Sequence, residues 1–140
     1  MILREAEMPG KNAVILSLAT LLLFRGEARA TDPIELTEAD SGRTIRGSVG
    51  QGVVVTLEGN PSTGYSWSYR SAPPEALEPV GEPEYIPDLP VRPGSGGRMR
   101  HRFTAILKGE AALRFEYRRS WEADVPPAKV VTYTLVIGGR

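Results

Sequence analysis

The chain has 140 residues, 17 Lys and Arg against 17 Asp and Glu, one His and no Cys. That length suits one domain able to bury its own core, and neutral, interspersed charge leaves no footprint for nucleic acid or an anionic membrane. Without Cys there are no disulfides, thiolate nucleophiles, zinc fingers or iron–sulfur clusters. With a single His, a transition-metal site would fall to carboxylates almost alone, which suits neither zinc nor copper. No metal or cofactor is therefore expected, and no catalytic residue is assigned. A Ser-His-Asp arrangement would have only His101 for its base. Composition leans towards binding.

At the N-terminus, Arg4 and Lys11 precede a run of twelve nearly unbroken apolar residues, Ala13 to Phe24. Ala28-Arg29-Ala30 follows as a small-x-small cleavage pattern, so residues 1–30 read as a secretory signal and Thr31 as the mature start. Glu5 and Glu7 dilute the basic region, and a start at Met8 would remove them. Twelve residues reach roughly 18 Å as a helix, short of the ~30 Å hydrocarbon core, so a stable membrane anchor is not expected. The alternative is a buried core helix. No Cys follows to carry a lipid. An exported domain, periplasmic or secreted, is the expectation.

Beyond residue 30, period-2 alternation dominates and Pro or Gly interrupts most helical windows. Short strand candidates are Ile34–Leu36, Thr44–Arg46 and Glu84–Ile86. In Gln51–Leu57, Val53, Val55 and Leu57 share one face. Tyr65, Trp67 and Tyr69 alternate with Ser66, Ser68 and Arg70. Met99, His101, Phe103 and Ala105 alternate with Arg98, Arg100, Arg102 and Thr104. Leu113, Phe115 and Tyr117 alternate with charges, and Val131, Tyr133, Leu135 and Ile137 share a face of Lys129–Ile137. Seven or eight such strands predict an all-β, immunoglobulin-like antiparallel β-sandwich over residues 31–140. Lys108-Gly109-Glu110 reads as a tight hairpin with Gly109 at positive φ. Arg43, Arg46, Arg98, Arg100 and Arg102 read as outer-face charges rather than a phosphate strip.

Three connections carry more chemistry than plain turns need. Asn60-Pro61-Ser62-Thr63-Gly64-Tyr65 combines a fixed φ, a capping Asn and a permissive Gly, presenting two hydroxyls at its tip. Arg92-Pro93-Gly94-Ser95-Gly96-Gly97 leaves bare backbone open to another chain; as a phosphate cradle it lacks a following helix. Tyr117-Arg118-Arg119-Ser120-Trp121-Glu122 sets Trp beside Arg, both typical interface anchors. These are every second connection along the strands, so they should meet at one end of the sandwich.

Together the three segments resemble the chagasin-like inhibitors of papain-family cysteine peptidases, marked by N-P-T-T-G-Y/F, G-x-G-G and R-P-W/F loops in that order. Ser62 stands for the first Thr, Gly94-Ser95-Gly96-Gly97 is intact, and Arg119-Ser120-Trp121 has Ser for Pro; the resemblance spans residues 31–140. It implies a reversible, non-covalent inhibitor whose partner is a papain-family cysteine peptidase; the sequence gives no sign of oligomerisation, and a monomer is the expectation. The resemblance places Ser62 and Thr63 beside the catalytic Cys of the peptidase, with Asn60, Pro61, Gly64 and Tyr65 in the same loop. Gly94, Ser95, Gly96 and Gly97 run along the non-primed side, and Arg119 and Trp121 occupy the primed side. Two rivals remain: an adhesion or carbohydrate-binding module stacking sugars on Tyr65, Trp67 and Tyr69, and an enzyme based on His101.

Overall fold

Two apolar faces of opposite strands close on each other, and the alternation in the sequence decides which residues meet. The computed structural model describes residues 32–139; the expected signal, 1–30, and Thr31 lie outside the described residues. Among the described residues nine strands form: β1 (Ile34–Leu36), β2 (Thr44–Ser48), β3 (Gly52–Gly59), β4 (Tyr65–Ala72), β5 (Leu77–Pro79), β6 (Glu84–Pro87), β7 (Gly97–Ala105), β8 (Gly109–Arg119) and β9 (Lys129–Gly138). One sheet runs β1-β3-β7, with β5 and β6 both paired to β7; the other runs β2-β9-β8-β4. The interior is built from the predicted alternations: Val53, Val55 and Leu57, with Phe103 beside Val53 in the same sheet, face Leu113, Phe115, Tyr133, Leu135 and Ile137 of the other, all nearly inaccessible. Truncating one of the aromatic members, such as Phe115, would cost about 3–5 kcal/mol.

The sandwich is thus as the alternation predicts, with three differences. β5 escaped the sequence reading because three residues ending in Pro79 show no period, and it exists only by pairing with Phe103–Ala105 of β7. Two pairings are parallel, β1 with β3 and β2 with β9, so the sheets are mixed and not purely antiparallel. Lys108-Gly109-Glu110 is not a hairpin. β7 and β8 belong to different sheets, and residues 106–108 carry the chain across the sandwich edge, with Ile106 N bonded to Ala76 O at 2.9 Å. Gly109 does take a positive φ, 126°. Local composition marks a turn but cannot say whether the strands beside it pair with each other.

His101 is buried against aromatic rings, with Phe115 at 5.0 Å and Tyr69 at 6.1 Å between centroids. Its Nδ1 has no hydrogen-bond partner among the described residues, and burial lowers its pKa. An imidazole 2% exposed and packed edge-on to Tyr69 and Phe115 is a core residue. The aromatic face of β4 is likewise committed inward: Trp67 lies 4.7 Å from Tyr117, and Tyr69 is edge-on to Phe103 at 4.9 Å. Of these rings Tyr69 alone is exposed, so Tyr65, Trp67 and Tyr69 do not form a continuous open platform for sugars.

Candidate functional site

The register of the strands brings the three predicted loops to one end. Gly59, the last residue of β3, lies opposite Gly97, the first of β7. In the other sheet Tyr65, the first of β4, lies opposite Arg119, the last of β8. Loop 1 (60–64) therefore crosses between the sheets, with loop 2 (88–96) on one side and loop 3 (120–128) on the other.

Loop 1 is held by its own side chains. Asn60 Oδ1 accepts from Ser62 N at 3.2 Å and also from the Ser62 hydroxyl, while Thr63 Oγ1 donates to Asn60 O at 2.7 Å. Pro61 opens a single 3-10 turn and Gly64 closes it at φ +81°. That conformation costs an ordinary residue roughly 1–2 kcal/mol. Ser62 and Thr63 stand exposed at the tip.

Each neighbour is tied to this turn. Asn60 Nδ2 donates to Gly94 O at 3.0 Å, joining loop 2 to loop 1. Arg119 Nε donates to Thr63 O at 3.0 Å, joining loop 3 to loop 1. The Arg119 guanidinium lies 4.4 Å above the Tyr65 ring and 5.7 Å from Trp121, and its Nη1 meets Glu122 Oε1 at 3.3 Å. Tyr65 stacks on Tyr117 at 5.1 Å, and Tyr117 packs on Trp67. A continuous ladder of rings and one guanidinium thus runs from the core to the loop tips. Trp121 ends it, 68% exposed but seated over Gly64: a Cβ there would come within 2.3 Å of the indole.

The predicted residues fall into two groups. Asn60, Pro61, Ser62, Thr63, Gly64, Tyr65, Gly94, Ser95, Gly96, Arg119 and Trp121 share this end. Loop 2 is tightened where Ser95 Oγ bonds Arg92 O at 2.7 Å and accepts from Arg92 N at 3.2 Å. Gly97 is the exception in kind. It is buried in β7, where a Cβ would strike Ile86 O and Pro87 Cα of β6, so its missing side chain serves the fold. Tyr117 is the residue the motif reading underused, because its phenol accepts from Asn60 N at 3.0 Å and anchors loop 1 from below. Its place at the end of an alternating strand, just before the third motif, was its signal in the sequence.

Behind loops 1 and 2 lies an open cleft of about 570 Å³, bordered by Asn60, Asp88, Gly96, Arg98, Tyr117 and Lys129. No nucleophile–base pair borders it. The end as a whole is a ridge of small, rigid, mostly uncharged tips, suited to entering another protein's cleft rather than to receiving a small molecule.

Comparison with known proteins points the same way. Residues 47–137 match the profile of the family described as Chagasin family peptidase inhibitor I42. The chain is 35% identical to Amoebiasin-1 of Entamoeba histolytica over 106 residues, which covers 74% of this chain and 97% of that protein. It is 31% identical to Chagasin of Trypanosoma cruzi over 91 residues, 62% of this chain and 82% of the relative. A crystal structure of a cysteine protease inhibitor from Entamoeba histolytica has the same fold, with a TM-score of 0.67 at 24% identity, covering 76% of this chain and 96% of that one. With the profile spanning most of its length and two relatives above 30% identity, the chain belongs to the chagasin family of peptidase inhibitors.

Proposed function

We propose that this protein is a reversible, non-covalent inhibitor of papain-like cysteine peptidases, and that it acts by filling the active-site cleft with loops 1, 2 and 3. The observation that carries this reading is the pair of hydrogen bonds from Asn60 Nδ2 to Gly94 O and from Arg119 Nε to Thr63 O, which make three loops one pre-assembled ridge. A ridge ordered before binding loses little conformational entropy on docking. In this reading Ser62 and Thr63 lie beside the catalytic Cys of the peptidase. Gly94, Ser95 and Gly96 follow the non-primed side through backbone hydrogen bonds, and Trp121 anchors the primed side. Asn60, Pro61, Gly64 and Tyr65 hold loop 1 in shape. Arg119 has its guanidinium committed to Thr63 and Glu122 and serves mainly to hold Trp121 and loop 1 together.

The test is residual activity of papain and of a cathepsin L-type enzyme titrated with the purified protein. Sub-micromolar, competitive inhibition is expected, with the added protein intact by mass afterwards. No inhibition up to ~10 μM would put binding weaker than roughly −7 kcal/mol and reject the reading.

We also propose that the protein is exported, on the strength of the apolar run Ala13 to Phe24 and the Ala28-Arg29-Ala30 pattern. Protein recovered outside the cytoplasm should begin at Thr31; recovery of the uncut chain in the cytoplasm alone would contradict this.

A further inference from the structure

The edge of a sheet is a row of unpaired N–H and C=O groups, and proteins ordinarily shorten it, charge it or block it with Pro. The other sheet margins follow that rule. β1 has three residues and follows Pro33; β5 and β6 have three and four and end on Pro79 and Pro87. β2 has five, interrupted by Gly47 and carrying Arg46. β4 is different. It pairs with β8 alone, so its far side has no strand partner among the described residues. It runs eight residues, Tyr65–Ala72, with neither Pro nor Gly and a single charge, Arg70.

The alternation of β4 also makes it complementary to itself. Ser66, Ser68 and Arg70 are exposed on the outer face of the sheet, while Tyr65, Trp67 and Tyr69 turn inward. Residues directly opposite in an antiparallel pair share a face, so two copies of this strand match only with outer opposite outer. Centred on Ser68, the pairing sets Arg70 of each copy across from Ser66 of the other. No like charges meet, and the outer face offers only small hydroxyls at the dyad. Tyr69, 42% exposed, gains cover from Trp67 of the second copy.

We infer that β4 is the surface through which a second copy of this chain pairs, extending the β2-β9-β8-β4 sheet to eight strands across a two-fold axis. Antiparallel pairing sends the two loop-bearing ends in opposite directions. Bivalent inhibition then rests on the function proposed above, whereas the pairing itself does not. One strand pair is a small interface, so the dimer is weak, with a dissociation constant of ~10–100 μM. The chain is a monomer when dilute and a dimer when concentrated.

Sedimentation equilibrium of the purified chain between ~5 and ~500 μM, spanning that constant, tests the pairing. The mass should climb from one chain towards two. Ser68→Lys, which sets two ammonium groups face to face at the dyad, should weaken association at least ~10-fold, and mixing it with Ser68→Glu should restore a dimer containing one of each. Both variants lie outside the three loops and should keep the inhibition per chain of the parent, and Ser68→Lys, which lies opposite Glu116 of β8, should keep the thermal midpoint as well. A single-chain mass throughout, or a dimer indifferent to Ser68→Lys, would overturn the inference.

Discussion

Gly64 sits where two demands meet: a left-handed φ of +81° and an indole within 2.3 Å of any added Cβ. Gly64→Ala should therefore strain loop 1 and dislodge Trp121 together, raising the inhibition constant for papain at least ~10-fold. Trp121→Ala removes an exposed aromatic anchor and should weaken inhibition by ~2 kcal/mol or more. Because the indole covers Gly64, the double variant should cost less than the two single losses added, since without Trp121 the new methyl has nothing to displace. Strict additivity, read from the four inhibition constants, would separate the two residues and contradict the ladder described above. The motif residues were legible in the sequence, since Asn, Pro and Gly each have a local backbone reason to stand where they do. The role of Arg119 was not, because a guanidinium reaching Thr63 across 56 positions leaves no local trace.

Loop 3 opens with a turn in which Glu122 N bonds Arg119 O at 3.1 Å, placing Ser120 at its second position. Pro is favoured there because its fixed φ suits such a turn. Ser120→Pro should therefore stabilise the loop by about 0.4–1 kcal/mol and tighten inhibition by up to roughly fivefold, through reduced freedom of the unbound chain. A weaker inhibitor would show that Ser120 needs a different φ when bound. Gly97 acts within the sheet, where β6 and β7 meet. Gly97→Ala should lower the unfolding free energy by about 1–3 kcal/mol by forcing β6 off β7, an effect seen in denaturant titration whether or not a peptidase is present. Strand positions followed from period-2 patterns in β3, β4, β7, β8 and β9, all of which bury one face. β5 and the crossing at 106–108 escaped because their placement depends on which sheet accepts them, and that is decided by contacts distant in the chain.

Across the whole molecule, the neutral charge and the apolar layer set how stability responds to acid. Burial lowers the pKa of His101 below its ordinary value of 6.5. The unfolded chain therefore takes up a proton below about pH 6.5 that the folded one resists, so this residue erodes stability as pH falls through that value and stops doing so once the folded imidazole protonates. The carboxylates of Asp40 and Glu116 act lower, since hydrogen bonds from Thr37 and Arg43, and from Arg114 and Arg118, hold both below the usual carboxylate range. The thermal midpoint should fall between pH 7.5 and 5 and fall less in His101→Phe; identical slopes would remove His101 from the acid response. The sandwich, its core faces and the gathering of three loops at one end were all readable from alternation and turn chemistry, whereas mixed pairing and the free β4 edge needed coordinates. Occlusion of the peptidase cleft is read out by binding to papain whose catalytic Cys carries an irreversible, cleft-filling peptide reagent. Calorimetry should show affinity for the blocked enzyme at least ~100-fold below that for the free enzyme, or about 2.8 kcal/mol. Equal affinity for the two would place the contact outside the cleft and rule out occlusion.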